Sequence, residues 1–243
     1  MLSKSLKLAA PVLAATTLGA ALASADSDTA ELLDRPVQLD LVFKLHVDDS
    51  LAEQDIYIER EKGSGLIYRP TKAERNLNHP LYAAAGPVKH QPFEPDALGP
   101  WKKGKALGIT LGEWLAAEGR GKYECKEGTG KVSVTFHKLV PNSVYTMWHD
   151  FMAWPPTQPF TGTYDLPIGA RDGSDSVFRV DANGSARVER TVKPCLQLSG
   201  EHLVADLAIA WHSDGSTYGP TPGEFGEKTH VHMYLELPKR SGI

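Results

Sequence analysis

The chain has 243 residues, a formal charge of −4 at pH 7 and two cysteines. That mildly acidic balance argues against nucleic acid or an anionic membrane as a partner. Cys125 and Cys195 each lack a second thiol nearby, which excludes a CxxC-type metal site.

Residues 1–25 carry the marks of a secretory signal. Lys4 and Lys7 form a positive start, an Ala/Leu-rich run follows, and Ala23-Ser24-Ala25 fits the cleavage pattern. Its removal takes the charge from −4 to −6 by loss of two lysines, and no later stretch is apolar enough to span a bilayer. The expected location is therefore periplasmic or extracellular. In that compartment Cys125 and Cys195 are expected to form one disulfide. Residues 26–36 are polar and expected to be flexible, and residues 37–243 are read as a single domain.

Val37–Val47 alternates as a strand, with Val37, Leu39, Leu41, Phe43, Leu45 and Val47 on one face. A shorter strand pair is expected at Asp55–Arg60 and Gly65–Arg69. The segment 70–108 is rich in Pro, Gly and Lys, cannot carry sheet ladders throughout, and reads as either a long loop draped over the core or a linker. One short helix is predicted at Leu111–Glu118. Thr110 and Glu113 form its capping box, and Gly119 its stop.

From there the pattern is all β. Strands are predicted at Lys122–Cys125, Lys131–Lys138, Ser143–Phe151, Asp175–Asp181, Ser185–Val192, Leu203–His212 and Thr229–Leu237. Asp181-Ala182-Asn183-Gly184 is a hairpin signal. The fold class implied is an all-β antiparallel β-sandwich with one short helix and long Pro/Gly-rich loops.

The candidate chemistry lies in histidines. In Thr229–Leu237, strict alternation places Val231, Met233, Leu235 and Leu237 toward a core and His230, His232, Tyr234 and Glu236 on the opposite face. Two imidazoles on one strand face can chelate an ion with little backbone change, and imidazole suits copper and zinc. His149 and His212 each follow a tryptophan where a strand enters a loop. The candidate metal set is therefore His149, His212, His230 and His232, with Asp150, Asp214, Glu224 and Glu236 as further ligands or as carboxylates that orient the rings. His137 is expected to be a surface residue. The units Trp148-His149-Asp150 and Trp211-His212-Ser213-Asp214 form an internal echo, either related positions or coincidence.

Other templates fit poorly: there is no G-x-S-x-G, H-E-x-x-H or phosphate-binding glycine loop. Ser213 or Ser216 beside His212 and Asp214 invites a triad, but sequence neighbours rarely reach triad geometry. Trp101, Trp154, Tyr164 and Tyr218 stand in loops, where they either stack on sugars or pack over the core.

The segments Leu111–Glu118, Leu139–Trp148, Gly162–Phe178 and Trp211–Pro222 together resemble a group of exported bacterial β-rich proteins of uncharacterised function. That resemblance implies a shared sandwich domain and brings no activity with it. Trp148-His149 and the separated histidines are similar to methanotroph copper-binding surface proteins, in which histidines and an oxidised tryptophan hold copper. His230-Val231-His232 resembles the copper-ligand tripeptide of Cu/Zn superoxide dismutases, but lacks the following Gly-Asp and that family's zinc loop. The leading expectation is an exported sandwich that binds copper or zinc. The alternative is an extracytoplasmic interaction or carbohydrate-binding domain without metal. A secreted metalloenzyme, hydrolytic or redox, stands third.

Overall fold

In the computed structural model, which describes residues 37–45, 55–89, 98–157 and 162–238, one N-terminal strand serves two halves of a sheet. Strand β1 (Val37–Leu45) pairs through residues 37–41 with β6 (Glu118–Lys126) and through residues 42–45 with β13 (Thr229–Glu236). Beyond β6 lie β7 (Thr129–His137) and β11 (Ala186–Val192). Beyond β13 lie β12 (Leu203–His212), β8 (Val144–Ala153) and, sharing one edge of β8, β9 (Tyr164–Pro167) and β10 (Val177–Arg179). The two halves enclose a common core: Tyr123, Val132, Val134 and Phe136 from one meet Tyr145, Met147, Leu207 and Ile209 from the other. The fold is all-β and antiparallel, as the alternation implied.

A second sheet, in the order β2 (Tyr57–Ile58), β4 (Pro80–Ala84), β5 (Trp101–Thr110), β3 (Leu66–Ile67), is drawn largely from the segment read as a draped loop or linker. Its prolines sit where the ladder tolerates them. Pro80 opens β4 and Pro100 precedes β5. The expected strand pair at 55–69 is reduced to two-residue strands that touch only at the bridge Ile58–Tyr68. Ile56, Ile58 and Leu81 from this region join the main core, together with Leu111 and Trp114 of the helix α1 (Leu111–Leu115).

The capping box forms as the sequence indicates, with Thr110 Oγ1 accepting from the Glu113 N–H and the Glu113 carboxylate accepting from the Thr110 N–H. The helix nevertheless ends at Leu115, and Gly119 is a strand residue. Gly119 and Gly121 let β6 pass beneath Phe43, Leu41 and Val134. A Cβ at Gly119 would stand 2.7 Å from Phe43, and one at Gly121 2.9 Å from Val134. These two glycines also hid half of β6 from the sequence pattern.

The Asp181–Gly184 turn forms, its carboxylate accepting from the N–H groups of Asn183 and Ser185, with Gly184 at φ 75°. It does not close a hairpin. β10 leaves it to pair with β8, and β11 to pair with β7, so the turn is a corner between the two halves. Cys125 and Cys195 are bonded across a separation of 70 residues. No helix among the described residues is long and apolar enough to cross a membrane. The proposed signal, residues 26–36, and His46 and Val47 at the end of the first predicted strand lie outside the described residues.

Candidate functional site

Strand β13 departs from the expected alternation at one place. Ala210 pairs with Val231 and Ile209 with Met233, so His232 is an extra residue, a β-bulge. Met233, Leu235 and Leu237 face the core as expected. His230 and His232 do not share an outward face with Tyr234 and Glu236. His230 lies opposite the core residue Trp211, with ring centroids 5.3 Å apart, and His232 stacks on Trp114 at 3.5 Å. Val231 turns the other way and packs with Trp148, Ala208, Ala210 and Phe225 in a separate apolar cluster. The bulge relocates both histidines because the side-chain period is two and one inserted residue inverts it.

All four candidate ligands are buried, and each is held by hydrogen bonds. His232 Nε2–H donates to the Trp114 carbonyl at 2.7 Å, so its Nδ1 accepts from the Tyr145 hydroxyl at 3.0 Å. His149 faces the core side opposite Leu207, and its Nε2–H donates to the Gln197 carbonyl. Burial holds the His149 pKa below the usual histidine value, against the opposing pull of that carbonyl.

His212 is on the outer face, inside a directional chain. Trp148 Nε1–H donates to Thr146 Oγ1, and Thr229 Oγ1 donates to the Pro222 carbonyl. Thr146 must then donate to His212 Nε2 at 2.8 Å, and His212 Nδ1–H points to Thr229 Oγ1 at 3.4 Å. A neutral imidazole with the proton on Nδ1 satisfies every link. Burial depresses the His212 pKa to about 4, opposed by Asp214 and aided by His230.

His230 Nδ1–H donates to the Asp55 carbonyl, and its Nε2 lies 2.9 Å from Ser213 Oγ. Its pKa is likewise lowered to about 4, first by burial and in part by Lys105, with Asp55 pulling the other way. The Asp55 carboxylate sits against Arg69 at 3.4 Å and accepts from the Val231 N–H. Arg69 is itself buried beneath Trp101, at 4.9 Å from the ring.

The structure therefore brings His212 and His230 to the two sides of one strand end, and leaves His149 and His232 elsewhere. Among the described residues no three His, Cys, Asp or Glu side chains are grouped so as to hold one metal ion. A copper or zinc ion would have to displace the carbonyl and hydroxyl partners just described, and the donor set as it stands does not fit a shared ion. Asp214 bonds to Tyr218, Glu224 to Lys228, and Glu236 to Lys44. His137 is exposed, as expected. The two Trp-His units are not equivalent positions: Trp211 and His149 face the core, Trp148 and His212 the outer face.

Two features escaped the sequence reading. Asp165, Asp150, Asp206 and Glu236 stand directly opposite one another on four neighbouring strands, an acidic row that only the register reveals. The second is the β9 edge. Tyr164 is 70% exposed, Leu166 52% and Trp154 45%, three of the six exposed large apolar side chains among the described residues. The Tyr164 ring lies nearly parallel to Phe151, 14° between planes and 5.4 Å between centroids, so one face is backed and the other open. Trp101 and Tyr218, by contrast, are packed, the first on Tyr57 and the second against His212. No protein family, no curated protein and no solved structure matches this chain.

Proposed function

We propose that the protein is an exported carbohydrate-binding module whose contact surface is the β9 edge. The carrying observation is Tyr164: an aromatic ring 70% exposed yet oriented by stacking on Phe151. A pre-oriented ring with one open face suits the C–H face of a pyranose, because little side-chain freedom is lost on binding. Leu166, two residues along the same strand face, extends the apolar surface. The exposed Gln197, whose carbonyl accepts from His149 opposite Leu166, supplies a polar group for sugar hydroxyls. Export rests on the N-terminal signal pattern, and the Cys125–Cys195 bond supports it.

Affinity electrophoresis of the intact protein through gels containing single soluble polysaccharides (glucans, mannans, xylans) tests the reading. At least one is expected to retard the wild type, with Tyr164→Ala weakening binding about tenfold and Leu66→Ala, an exposed apolar residue on the second sheet, leaving it unchanged. Equal retardation of Tyr164→Ala, or none in any gel, would refute it.

A further inference from the structure

Ser213, just past the end of β12, carries an arrangement that the glycan-binding reading does not use. Its Oγ is 2.9 Å from His230 Nε2, and the other nitrogen of that ring is fixed as a donor to the Asp55 carbonyl. With Nδ1 protonated, a neutral ring can only accept at Nε2, so the Ser213 proton points at the imidazole. Its one competing acceptor, the Lys228 carbonyl, is more distant at 3.4 Å. Asp55, the orienting residue, is immobilised by Arg69 and by the Val231 N–H. His230 is fully buried, while Ser213 is half-buried and precedes the exposed residues 214–217. The ammonium of Lys105 reaches the same spot, donating to the Ser213 carbonyl at 2.9 Å.

We propose that Ser213 is the nucleophile of an acyl-transfer site, with His230 as its general base, the Asp55 carbonyl as the group orienting that base, and Lys105 as a cation for a developing oxyanion. The substrate class is a small carboxylic ester approaching from solvent. Ser213 Oγ bonds to the ester carbonyl carbon as its proton passes to His230 Nε2, and the carbonyl π pair moves onto oxygen beside Lys105. Return of that pair expels the alkoxide, which leaves as the alcohol with the proton from Nε2. Water then attacks the acyl-serine by the same route, releasing the acid and restoring Ser213. The partners differ from those the sequence suggested: Ser213 pairs with His230 across the strand end, not with its neighbour His212. The site also lies away from the β9 edge, since Phe151 opposes Ala205 near the start of β12 and Ser213 follows its last residue.

The test is labelling of the intact, oxidised protein with a fluorophosphonate probe. There the Oγ–P bond forms, the P–F bond breaks, fluoride leaves and Nε2 takes the serine proton. Peptide mass spectrometry is expected to place one adduct on Ser213. Ser213→Ala should abolish it, Lys105→Ala should slow it at least threefold, and the exposed Ser216→Ala should label at the wild-type rate. Hydrolysis of p-nitrophenyl acetate should follow the same order. No adduct, an adduct on another residue, or labelling that survives Ser213→Ala would overturn the proposal. Polysaccharide binding is read separately, so either result leaves the glycan reading independently testable.

Discussion

Replacing His232 by leucine would separate a structural imidazole from a metal-binding one. The substitution keeps much of the buried volume but removes an acceptor from the Tyr145 hydroxyl, a donor from the Trp114 carbonyl, and the 3.5 Å stack on Trp114. Each lost buried hydrogen bond costs about 1–2 kcal/mol and the stack about another 1, giving roughly 3–5 kcal/mol in all. At about 2–4 °C per kcal/mol for a domain of this size, the melting temperature should fall by about 10 °C. The assay is thermal denaturation followed by circular dichroism at pH 7.5, with His137→Ala, an exposed histidine, as the control that should stay within about 0.5 kcal/mol of wild type. A His232→Leu melting temperature within about 2 °C of wild type, the shift expected for no more than ~1 kcal/mol, would refute the hydrogen-bond account. Were chelator-dialysed wild type to lose as much stability as the mutant, His232 would instead act through an ion.

Three further outcomes follow from the structure. His212 and His230 are held neutral with pKa values of about 4, whereas in the unfolded chain they titrate near 6.5, so the unfolded state takes up protons first as pH falls. Their contribution is complete above pH ~6.5 and is lost between there and pH ~4, on the order of 3 kcal/mol each, which urea midpoints at pH 7 and 4.5 should resolve. Equal midpoints would contradict the burial argument. Reduction of Cys125–Cys195 should lower stability by up to about 4 kcal/mol in a denaturant titration with and without reductant, because the bond closes a loop of 70 residues. Gly121→Ala should cost about 1–3 kcal/mol in the same titration, since its Cβ would press on Val134, Leu41 and the Ser133 carbonyl.

Much of the fold was legible in period-two alternation. Strand β12 falls on the residues read from sequence, and Leu41, Leu45, Val132, Val134 and Phe136 are buried as their positions imply. The second sheet was not, because more than half of β4 and β5 is Pro, Gly, Ala and Lys, residues whose strand tendency comes from their neighbours and not from themselves. The candidate site was legible only in part. The histidines were singled out as metal ligands, but a β-bulge leaves no mark in a one-dimensional pattern, and at His232 it reversed which residues face inward. Tyr164 was seen as a loop aromatic. Its openness depends on β9 pairing with the edge of β8, a contact no local signal announces.

The seam between β10 and β11 has a consequence for assembly. These strands share a turn but no ladder, and the Arg190 guanidinium lies across them, donating to the carbonyls of Asp175 and Val177. A side chain thereby fills acceptors that an incoming strand would need in order to extend the sheet there. The main sheet thus treats these two borders in opposite ways. One is plugged by a cation that cannot be removed without leaving bare carbonyls, while the other, at β9, offers apolar rings to whatever approaches. A chain with Arg190 replaced should polymerise through the very corner that the wild type keeps shut.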